Sequence, residues 1–251
     1  NNLLEMKEIN ILKIKNEFEK KGVVIIKNFF KKNEVLNLEK KIKQYLKKNK
    51  DKLKSNEINY IKNKVNSVHK FKNLYFKKFF NNKKIKEIGD QLLGVKSRFQ
   101  DCEYFAKPAK IGLDSPMHQD NYYWNLKNPK AITMWIAIDP ANKKNGSLEY
   151  LLESHKGGLV KHIPSFAPGS SQRVKNLKKY KKKYKKKSFN LKKGDCLIHH
   201  CLIIHGSKKN LSNISRRGFT IQLTNKNNSI NKKQFALYKK SLEQQKRVNL
   251  V

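Results

Sequence analysis

The chain has 251 residues, 37% of them hydrophobic, which is enough for one domain with a buried core. It contains no apolar run of about 18 residues, so we predict no membrane-spanning helix, and its N-terminus lacks the pattern of a secretory signal. Lys and Arg number 58 against 19 Asp and Glu, a formal charge of +39. Because Lys is spread over nearly every segment and far outnumbers Arg, we interpret the charge as compositional and predict no nucleic-acid partner.

The densest charge lies in the lysine run from Lys178 to Lys187, which is interleaved with two tyrosines. This run is the best candidate in the sequence for contact with an acidic partner. A solvated loop or short helix explains it equally well, and we favour that interpretation.

Three cysteines indicate the redox compartment. An odd number of cysteines forms no complete disulfide framework, and this favours a reducing environment. We therefore predict a cytoplasmic protein, while the sequence does not indicate an oligomeric state. The cysteines are Cys102, Cys196 and Cys201.

The first third of the chain is predicted to be mostly helical, because apolar residues recur among lysines at helical spacing. Asn28 or Asn33 is a candidate N-cap of the second helix, and Gly94 is the expected end of the last one. The predicted elements are helices over residues 3–20 and 32–53, a short buried strand between them over residues 22–27, and a helix over residues 82–93.

From residue 97 the pattern changes to short strands punctuated by Pro and Gly, and this favours a sandwich or a barrel. The predicted strands cover residues 98–107, the segment around residue 118, and residues 132–138, 147–152, 195–204 and 217–224. The apolar residues of segment 232–248 have helical spacing and predict an amphipathic C-terminal helix.

His118 and Asp120, separated by Gln119, are the strongest chemical signal in the chain. In a strand, alternate side chains emerge on the same face, so His118 and Asp120 would point inward while Gln119 turns away. Two histidines and one carboxylate can hold Fe(II) and leave coordination positions open. His205, which ends an apolar strand just before Gly206, is the candidate third ligand.

A second group of metal-binding residue types lies in the predicted strand 195–204. Cys196 and Cys201 would point to opposite faces of a strand, and so could not close a tetrahedral zinc site without a bend. We therefore interpret these cysteines and their neighbours His199 and His200 as packing residues, with His200 hydrogen-bonded internally.

Five separated motifs resemble, in order and spacing, those of the phytanoyl-CoA dioxygenase family, a branch of the Fe(II)/2-oxoglutarate-dependent oxygenases. The resemblance covers the chain from about Tyr104 to Leu223, although the family's Pro-Gly-Ser-His turn is altered here and a lysine-rich insert follows it. The motifs are His118-Gln119-Asp120, Trp135-Ile136-Ala137-Ile138-Asp139, Asn145-Gly146-Ser147-Leu148, Glu153-Ser154-His155, and Gly194-Asp195 with the block from His205 to Arg217.

The resemblance implies a mainly β fold with flanking helices. Its core would be a double-stranded β-helix, the jelly roll of cupin-like proteins, with N-terminal helices and a C-terminal helix. We expect a single oxygenase domain over residues 1–251. Its parts would be a mostly helical lead-in over 1–95, the core over 96–226 with the lysine-rich insert at about 165–190, and the C-terminal helix over 227–251.

The resemblance also implies an activity, namely hydroxylation of a small molecule with Fe(II), the cosubstrate 2-oxoglutarate and O2, releasing succinate and CO2. Arg216 has the family's spacing from His205 for the arginine that grips the far carboxylate of 2-oxoglutarate, a role that suits the planar guanidinium group. Arg217 alternates to the other face. Ser207, Gln119 and Trp135 match further cosubstrate positions.

Other residues near the motifs have weaker assignments. Residues Asn121, Tyr122, Tyr123 and Trp124 follow the metal strand and could line the substrate pocket. Glu103 stands where some relatives place a cosubstrate-contacting Met, and its carboxylate would repel 2-oxoglutarate unless it is turned away. His155 follows the family's turn, where a structural role is expected.

Two alternative functions remain open from the sequence. A nucleic-acid demethylase of the same superfamily would account for the charge, but the motifs resemble the small-molecule branch more closely. A non-enzymatic jelly-roll binding protein would leave an intact ligand triad and Arg216 without a use. The sequence does not identify the substrate.

Overall fold

The structure is a computed structural model in which residues 2–49, 58–61, 64–69, 71, 74–80, 82–167 and 170–248 are described. Its helices are α1 (Asn2–Lys21), α2 (Lys32–Lys48), α3 (Leu74–Phe80), α4 (Lys83–Leu93), α5 (Asn121–Trp124), α6 (Leu177–Lys183) and α7 (Lys232–Val248). Its strands are β1 (Val23–Ile26), β2 (Ile58–Ile61), β3 (Lys64–His69), β4 (Ser97–Lys107), β5 (Ser115–His118), β6 (Ala131–Ala137), β7 (Leu148–Leu151), β8 (His162–Ala167), β9 (Ser170–Val174), β10 (Lys186–Ser188), β11 (Cys196–His200), β12 (His205–Ser207) and β13 (Arg216–Asn225).

Two antiparallel sheets form the core. The larger has the order β1-β11-β6-β13-β4-β3-β2, and the smaller has the order β10-β7-β12-β5. Side chains from both sheets meet between them, where Trp135 and Leu197 of the larger sheet pack with Tyr150 of the smaller. This arrangement is the jelly roll that the resemblance implies, and the predicted fold is confirmed.

The larger sheet has one face toward the helices and one toward the smaller sheet. On β6, Ile132, Met134 and Ile136 belong to the cluster shared with the helices, whereas the alternating Trp135 and Ala137 face the smaller sheet. Every residue of β6 is buried, as expected for a central strand covered on both faces. Each fully buried Ile stabilises the fold by roughly 1.5–3 kcal/mol.

The N-terminal helices cover the outer face of the larger sheet. Helix α2 contributes Val35, Leu38 and Ile42 to the outer cluster. Helix α4 packs there as well, beginning at Asn82, whose side chain accepts from the Lys84 N–H at 3.0 Å, and ending at the left-handed Gly94.

The predicted N-caps of the second helix are wrong. Helix α2 begins after Lys31, and the Glu34 carboxylate reaches back to accept from the Lys31 N–H at 2.7 Å. Asn28 instead donates its backbone N–H to Asp195, which ties the end of β1 to the turn before β11. The predicted continuation of this helix beyond residue 49 lies outside the described residues.

The predicted strand 195–204 is wrong in its second half. Strand β11 ends at His200, a turn follows, and the chain resumes as β12 in the other sheet. The apolar run continues through this turn because residues 201–204 are buried there too, so the pattern could not reveal the crossing. Cys196 and Cys201 therefore lie in different clusters, and both are free thiols.

The segment around His118 is only partly a strand. Strand β5 ends at His118, and the backbone of Asp120 is helical, with φ −58° and ψ −37°. Tyr123 and Trp124 donate their N–H groups to the Asp120 carbonyl, so the four residues expected to extend the strand form the short helix α5. His118 and Asp120 converge because of this turn, not because they alternate along a strand.

The described part of the lysine-rich insert contains elements that were not predicted, namely the paired strands β8 and β9 and the strand β10, which joins the smaller sheet. The densest lysine run begins in helix α6, which buries no residue, and ends in β10. The predicted short helix is thus confirmed for the first part of the run, while its last residues form a strand. The predicted C-terminal helix is confirmed as α7, where Ser241 donates to the Gln172 side chain of β9 at 2.6 Å. No helix in the described part of the chain is long and apolar enough to cross a membrane.

Candidate metal centre

His118, Asp120 and His205 lie together at the inner end of the smaller sheet. His118 of β5 pairs directly with His205 of β12 in the antiparallel register. One potential ligand atom from each of the three residues lies within 4.8 Å of the others, and among the described residues this is the one such group of His, Cys, Asp and Glu side chains. The sequence prediction that these residues converge is confirmed, while their role as ligands remains to be tested.

Backbone carbonyls orient both imidazoles. The Nδ1 atom of His118 lies 2.8 Å from the Pro116 carbonyl, and that of His205 lies 3.1 Å from the Ile203 carbonyl. A carbonyl only accepts, so each Nδ1 carries the proton and each Nε2 is left with a free lone pair. Carbonyl-bound imidazoles of this kind are the usual metal-ligating form.

The charges at the centre suit a metal ion. Burial and the neighbouring His199 lower the pKa of His205 well below its ordinary value, so the ring is neutral. Burial opposes ionisation of Asp120, but its histidine neighbours, among them His199 as a hydrogen-bond donor, hold the pKa of its carboxyl well below the ordinary value. One carboxylate oxygen and two imidazole nitrogens form the donor set that Fe(II) sites of open coordination use.

Arg216 lies at the start of β13, on the face of the larger sheet that is turned toward the smaller sheet. Its side chain is buried, one Nη2 donates to the Gly146 carbonyl at 2.8 Å, and its Nε is buried without a hydrogen-bond partner. Its guanidinium carbon is 5.2 Å from the centre of the Trp135 ring. A buried guanidinium with an unused donor and no carboxylate partner can bind an anion.

A second buried basic side chain stands beside Arg216. Lys107 of β4 is the cross-strand partner of Arg216, and its ammonium donates to the carbonyls of Leu113 and Lys208. Burial and the charge of Arg216 lower the pKa of Lys107 to about 6. Like charges directly opposite each other destabilise a strand pair, and this disfavours the charged form of Lys107 until an arriving carboxylate offsets the repulsion.

The remaining predicted cosubstrate residues lie in different surroundings. Trp135 is close to Arg216, and a side chain added at Gly218 would collide with its ring, so only Gly fits at that position. Ser207 is buried on β12, two residues after His205. Gln119 turns away, as expected, and its amide is occupied by backbone groups of residues 158, 160 and 202. Its cosubstrate role stays a prediction.

Arg217 and Glu103 are occupied by other partners. Arg217 points to the helical side and forms a two-point contact with Asp139 at 2.7 Å, as well as an ion pair with Glu39. Glu103 accepts from the Gln222 amide at 3.0 Å. The prediction that Arg216, not Arg217, faces the interior is confirmed.

The four substrate-pocket candidates separate into two kinds. The ring of Tyr123 stands edge-on to His118 at 5.5 Å between ring centres, next to the candidate metal centre. Tyr122 stacks on His162 at 4.2 Å, while Asn121 is hydrogen-bonded to Leu126 and Trp124 packs in a separate apolar cluster. Tyr123 is thus the best placed of the four.

A large cleft opens outside this region. Its volume is about 790 Å³, and none of the candidate metal ligands lines it. Its wall is strongly basic, with lining residues Asp114, Lys143, Lys144, Lys208, Lys209, Leu211 and Ser212.

Sequence reasoning missed Lys107, and it interpreted His199 as a packing residue. Lys107 is one of 58 basic residues, so no pattern distinguished it. His200 was interpreted correctly: its Nδ1 accepts from the Leu202 N–H at 3.1 Å. His155 donates its Nε2–H to the Glu19 carbonyl at 3.1 Å and is not part of the triad, as expected for a structural residue.

The comparisons with known proteins agree with this geometry. The sequence profile of the family Phytanoyl-CoA dioxygenase (PhyH) matches residues 18–218, most of the chain. The chain belongs to the phytanoyl-CoA dioxygenase family. It is 29% identical over 126 residues to the peroxisomal phytanoyl-CoA dioxygenase of Bos taurus, a match covering 48% of this chain and 37% of that protein.

A longer match is with the phytanoyl-CoA dioxygenase domain-containing protein 1 homolog of Caenorhabditis elegans. The two are 29% identical over 192 residues, which is 66% of this chain and 60% of the other. The chain thus spans between about a third and three fifths of the length of these curated relatives.

Solved structures share the fold at low sequence identity. EctD from S. alaskensis, solved with 2-oxoglutarate and 5-hydroxyectoine, has a TM-score of 0.73 at 16% identity, with 86% of this chain and 77% of EctD covered. The carbocyclase SnoK from nogalamycin biosynthesis, described as non-heme and alpha-ketoglutarate-dependent, has a TM-score of 0.72 at 17% identity, covering 87% and 85%. These likenesses confirm the jelly-roll fold.

Proposed function

We propose that this protein is an Fe(II)/2-oxoglutarate-dependent dioxygenase that hydroxylates a small molecule. The observation that carries the proposal is the meeting of His118, Asp120 and His205 on the inner face of the jelly roll that also holds Arg216. Family membership supports the same activity, because the motifs that identify the family contribute these residues. The 5-hydroxyectoine in the EctD structure and the place of SnoK in nogalamycin biosynthesis are consistent with the proposed substrate class.

The residues of this site fit iron and 2-oxoglutarate. His118 and His205 present Nε2 lone pairs, and Asp120 presents one carboxylate oxygen to both. Bound iron with 2-oxoglutarate would activate O2, so that one oxygen atom enters a C–H bond of the substrate and the other oxidises 2-oxoglutarate to succinate and CO2.

The protein's own contribution is to bind and orient the reactants. Arg216 would grip the far carboxylate of 2-oxoglutarate through its unused Nε, and Lys107 would add positive charge beside it. Trp135, whose ring centre lies 5.2 Å from the guanidinium carbon of Arg216, would close one side of this position. Tyr123 would bound the substrate on the side of His118, where its ring places an apolar edge.

Anaerobic titration of Fe(II) and then 2-oxoglutarate tests the proposal. We expect a visible metal-to-ligand absorption band that appears only with both present, and a metabolite screen should find compounds that raise succinate release above the uncoupled background. His118→Ala is the matched control and should give no band. A wild-type protein that binds neither component would be a jelly-roll binding module instead.

The nucleic-acid alternative has its own test. Binding of single-stranded DNA, followed by fluorescence over a salt series, should be weak and should not stimulate succinate release. DNA-stimulated succinate release would favour the demethylase.

We expect the product to gain oxygen and not chlorine. Halogenating relatives replace the carboxylate of the H-x-D pair with a small residue that admits chloride, whereas Asp120 fills this position here. Reaction under 18O2 with excess chloride should place 18O in the product, and a chlorinated product would contradict the expectation. The choice between hydroxylation and desaturation depends on the substrate.

We retain the prediction of a cytoplasmic protein. All three cysteines are buried and free, which is consistent with a reducing compartment.

A further inference from the structure

His199 lies on the inner face of the larger sheet, beside the candidate metal centre. It is buried, with 2% of its side chain exposed, and its ring centre is 4.3 Å from that of His205. On the neighbouring strand β6, Thr133 is its direct partner in the register. Both side chains point toward Asp120.

The two carboxylate oxygens of Asp120 have different surroundings. Oδ1 lies 3.5 Å from the Nε2 of His205 and 3.7 Å from the Nε2 of His118. Oδ2 accepts from the Thr133 hydroxyl at 2.6 Å and lies 3.0 Å from the Nε2 of His199. One oxygen therefore faces the ligand histidines, while the other is fully engaged by the protein.

Hydrogen bonding fixes the tautomer of His199. An ionised carboxylate only accepts, so the Nε2 of His199 must carry the proton that it gives to Asp120. Its Nδ1 can then accept, and the Tyr150 hydroxyl lies 3.0 Å away as the donor. Tyr150 is buried, and burial raises the pKa of its hydroxyl well above the ordinary value, so it stays protonated and able to donate. The hydrogen bonds thus run in one direction, from the Tyr150 hydroxyl to His199 and from His199 to Asp120.

His199 is not placed as a fourth ligand. The close group of potential ligand atoms in the described residues contains His118, Asp120 and His205 but not His199. A residue that only packed would leave both ring nitrogens without hydrogen-bond partners. Here the Nε2 of His199 faces Asp120 and its Nδ1 faces the Tyr150 hydroxyl.

We propose that His199 is a positioning residue that, together with Thr133, holds the Oδ2 atom of Asp120 so that the carboxylate offers the metal a single oxygen. This inference rests on the proposed function, since it requires that Asp120 binds a metal. Its consequence is specific. A carboxylate that closed on the ion with both oxygens would occupy one of the positions that 2-oxoglutarate and O2 need, and the engaged Oδ2 prevents this.

Mn(II) binding tests the inference without turnover. Mn(II) accepts the same nitrogen and oxygen ligands, and an octahedral ion held by three protein atoms keeps about three waters. His199→Met removes the donor while keeping a side chain of similar length, and His199→Gln keeps an N–H donor. His200→Met is the matched control, because the side chain of the adjacent histidine accepts from the backbone N–H of Leu202 and, within the described residues, has no hydrogen bond to Asp120.

We expect His199→Met to weaken Mn(II) binding about 10- to 100-fold, the usual effect of removing a partner of a ligand. Its number of bound waters, measured by water-proton relaxation, should fall from about three to about two. His199→Gln should recover at least half of the lost affinity on a logarithmic scale, and His200→Met should bind like the wild type. His199→Phe replaces His199→Met if thermal melting shows that the latter does not fold.

The outcomes separate the two proposals. Wild-type affinity and water number in His199→Met would overturn the positioning role, as would a His199→Gln variant no better than His199→Met or an equal loss in His200→Met. An affinity loss with an unchanged water number would also overturn it. Wild-type protein that binds no Mn(II) would instead refute the proposed function.

Discussion

The two faces of the larger sheet differ in what their side chains do. The outer face is apolar and packs against helices, with Ile198 on β11, Met134 on β6 and Phe219 on β13 in one cluster. The inner face of the same strands also carries buried polar residues, among them His199 and Arg216. Side chains that pack against the helices therefore alternate along each strand with side chains that face the candidate site, since neighbouring residues point to opposite faces.

Arg216 and Arg217 show the contrast between adjacent residues. Arg217, on the outer side, is neutralised by Asp139 and Glu39, and the hydrogen bonds that it donates to Asp139 raise its pKa above the ordinary value. Arg216, on the inner side, has one backbone acceptor, and burial lowers its pKa to about 10. The ion-paired Arg217 therefore stabilises the fold, whereas Arg216, which has an unused donor, is available to bind an anionic ligand.

Removing a candidate metal ligand should have the largest effect on the inner face. His118→Ala, Asp120→Ala or His205→Ala should each abolish metal binding and iron-dependent succinate formation, because three ligands define the open site. The fold should survive, since the apolar cluster of the outer face is untouched. Circular dichroism and metal titration would measure both. Full succinate formation by any of the three would refute the ligand assignment.

A core substitution on the outer face should give the opposite result. Phe219 is fully buried and stacks with Phe76 at 5.6 Å between ring centres. Phe219→Ala should lower the free energy of unfolding by about 3–5 kcal/mol. Below its melting temperature the variant should bind 2-oxoglutarate as the wild type does. A large loss of affinity in the folded variant would show that the two faces are coupled.

The arginine pair should separate affinity from stability. Arg216→Lys keeps the charge but loses the planar two-point grip, so the 2-oxoglutarate requirement should rise roughly 10- to 100-fold, corresponding to about 1.5–3 kcal/mol for a charge-assisted hydrogen bond. Arg217→Lys should lower the melting temperature and leave that requirement nearly unchanged. Calorimetric titration and thermal melting compare them, and a reversed pattern would mean that the roles are exchanged.

Lys107 should produce a smaller, pH-dependent effect. Its pKa is about 6 in the folded protein against 10.5 ordinarily, so between these values the unfolded chain binds more protons. Stability of the ligand-free protein should therefore rise with pH in this window, by at most about 1.4 kcal/mol per pH unit from this group. Urea unfolding of Lys107→Met at pH 7 and pH 9 should show a reduced slope. An unchanged slope would show that Lys107 remains charged when buried.

Local pattern in the sequence determined much of this protein. Helices α1, α4 and α7 follow from apolar spacing and, for α4, from the cap at Asn82 and the stop at Gly94. The residues at the candidate metal centre follow from motifs of fixed order. The helices depend on near neighbours in the chain, and the motifs resemble those of a known family, so a single sequence is sufficient to predict both.

Tertiary structure alone decided the rest. The crossing of the chain after His200, the helical turn at Asp120 and the cross-strand pairing of Lys107 with Arg216 are not marked in the local pattern. Burial continues through the crossing, and nothing in the local sequence distinguishes Lys107 from the other 52 lysines. These features bring together residues that are far apart in the chain. In the shared interior the dielectric is low and water is excluded, so each hydrogen bond and charge has a larger interaction energy.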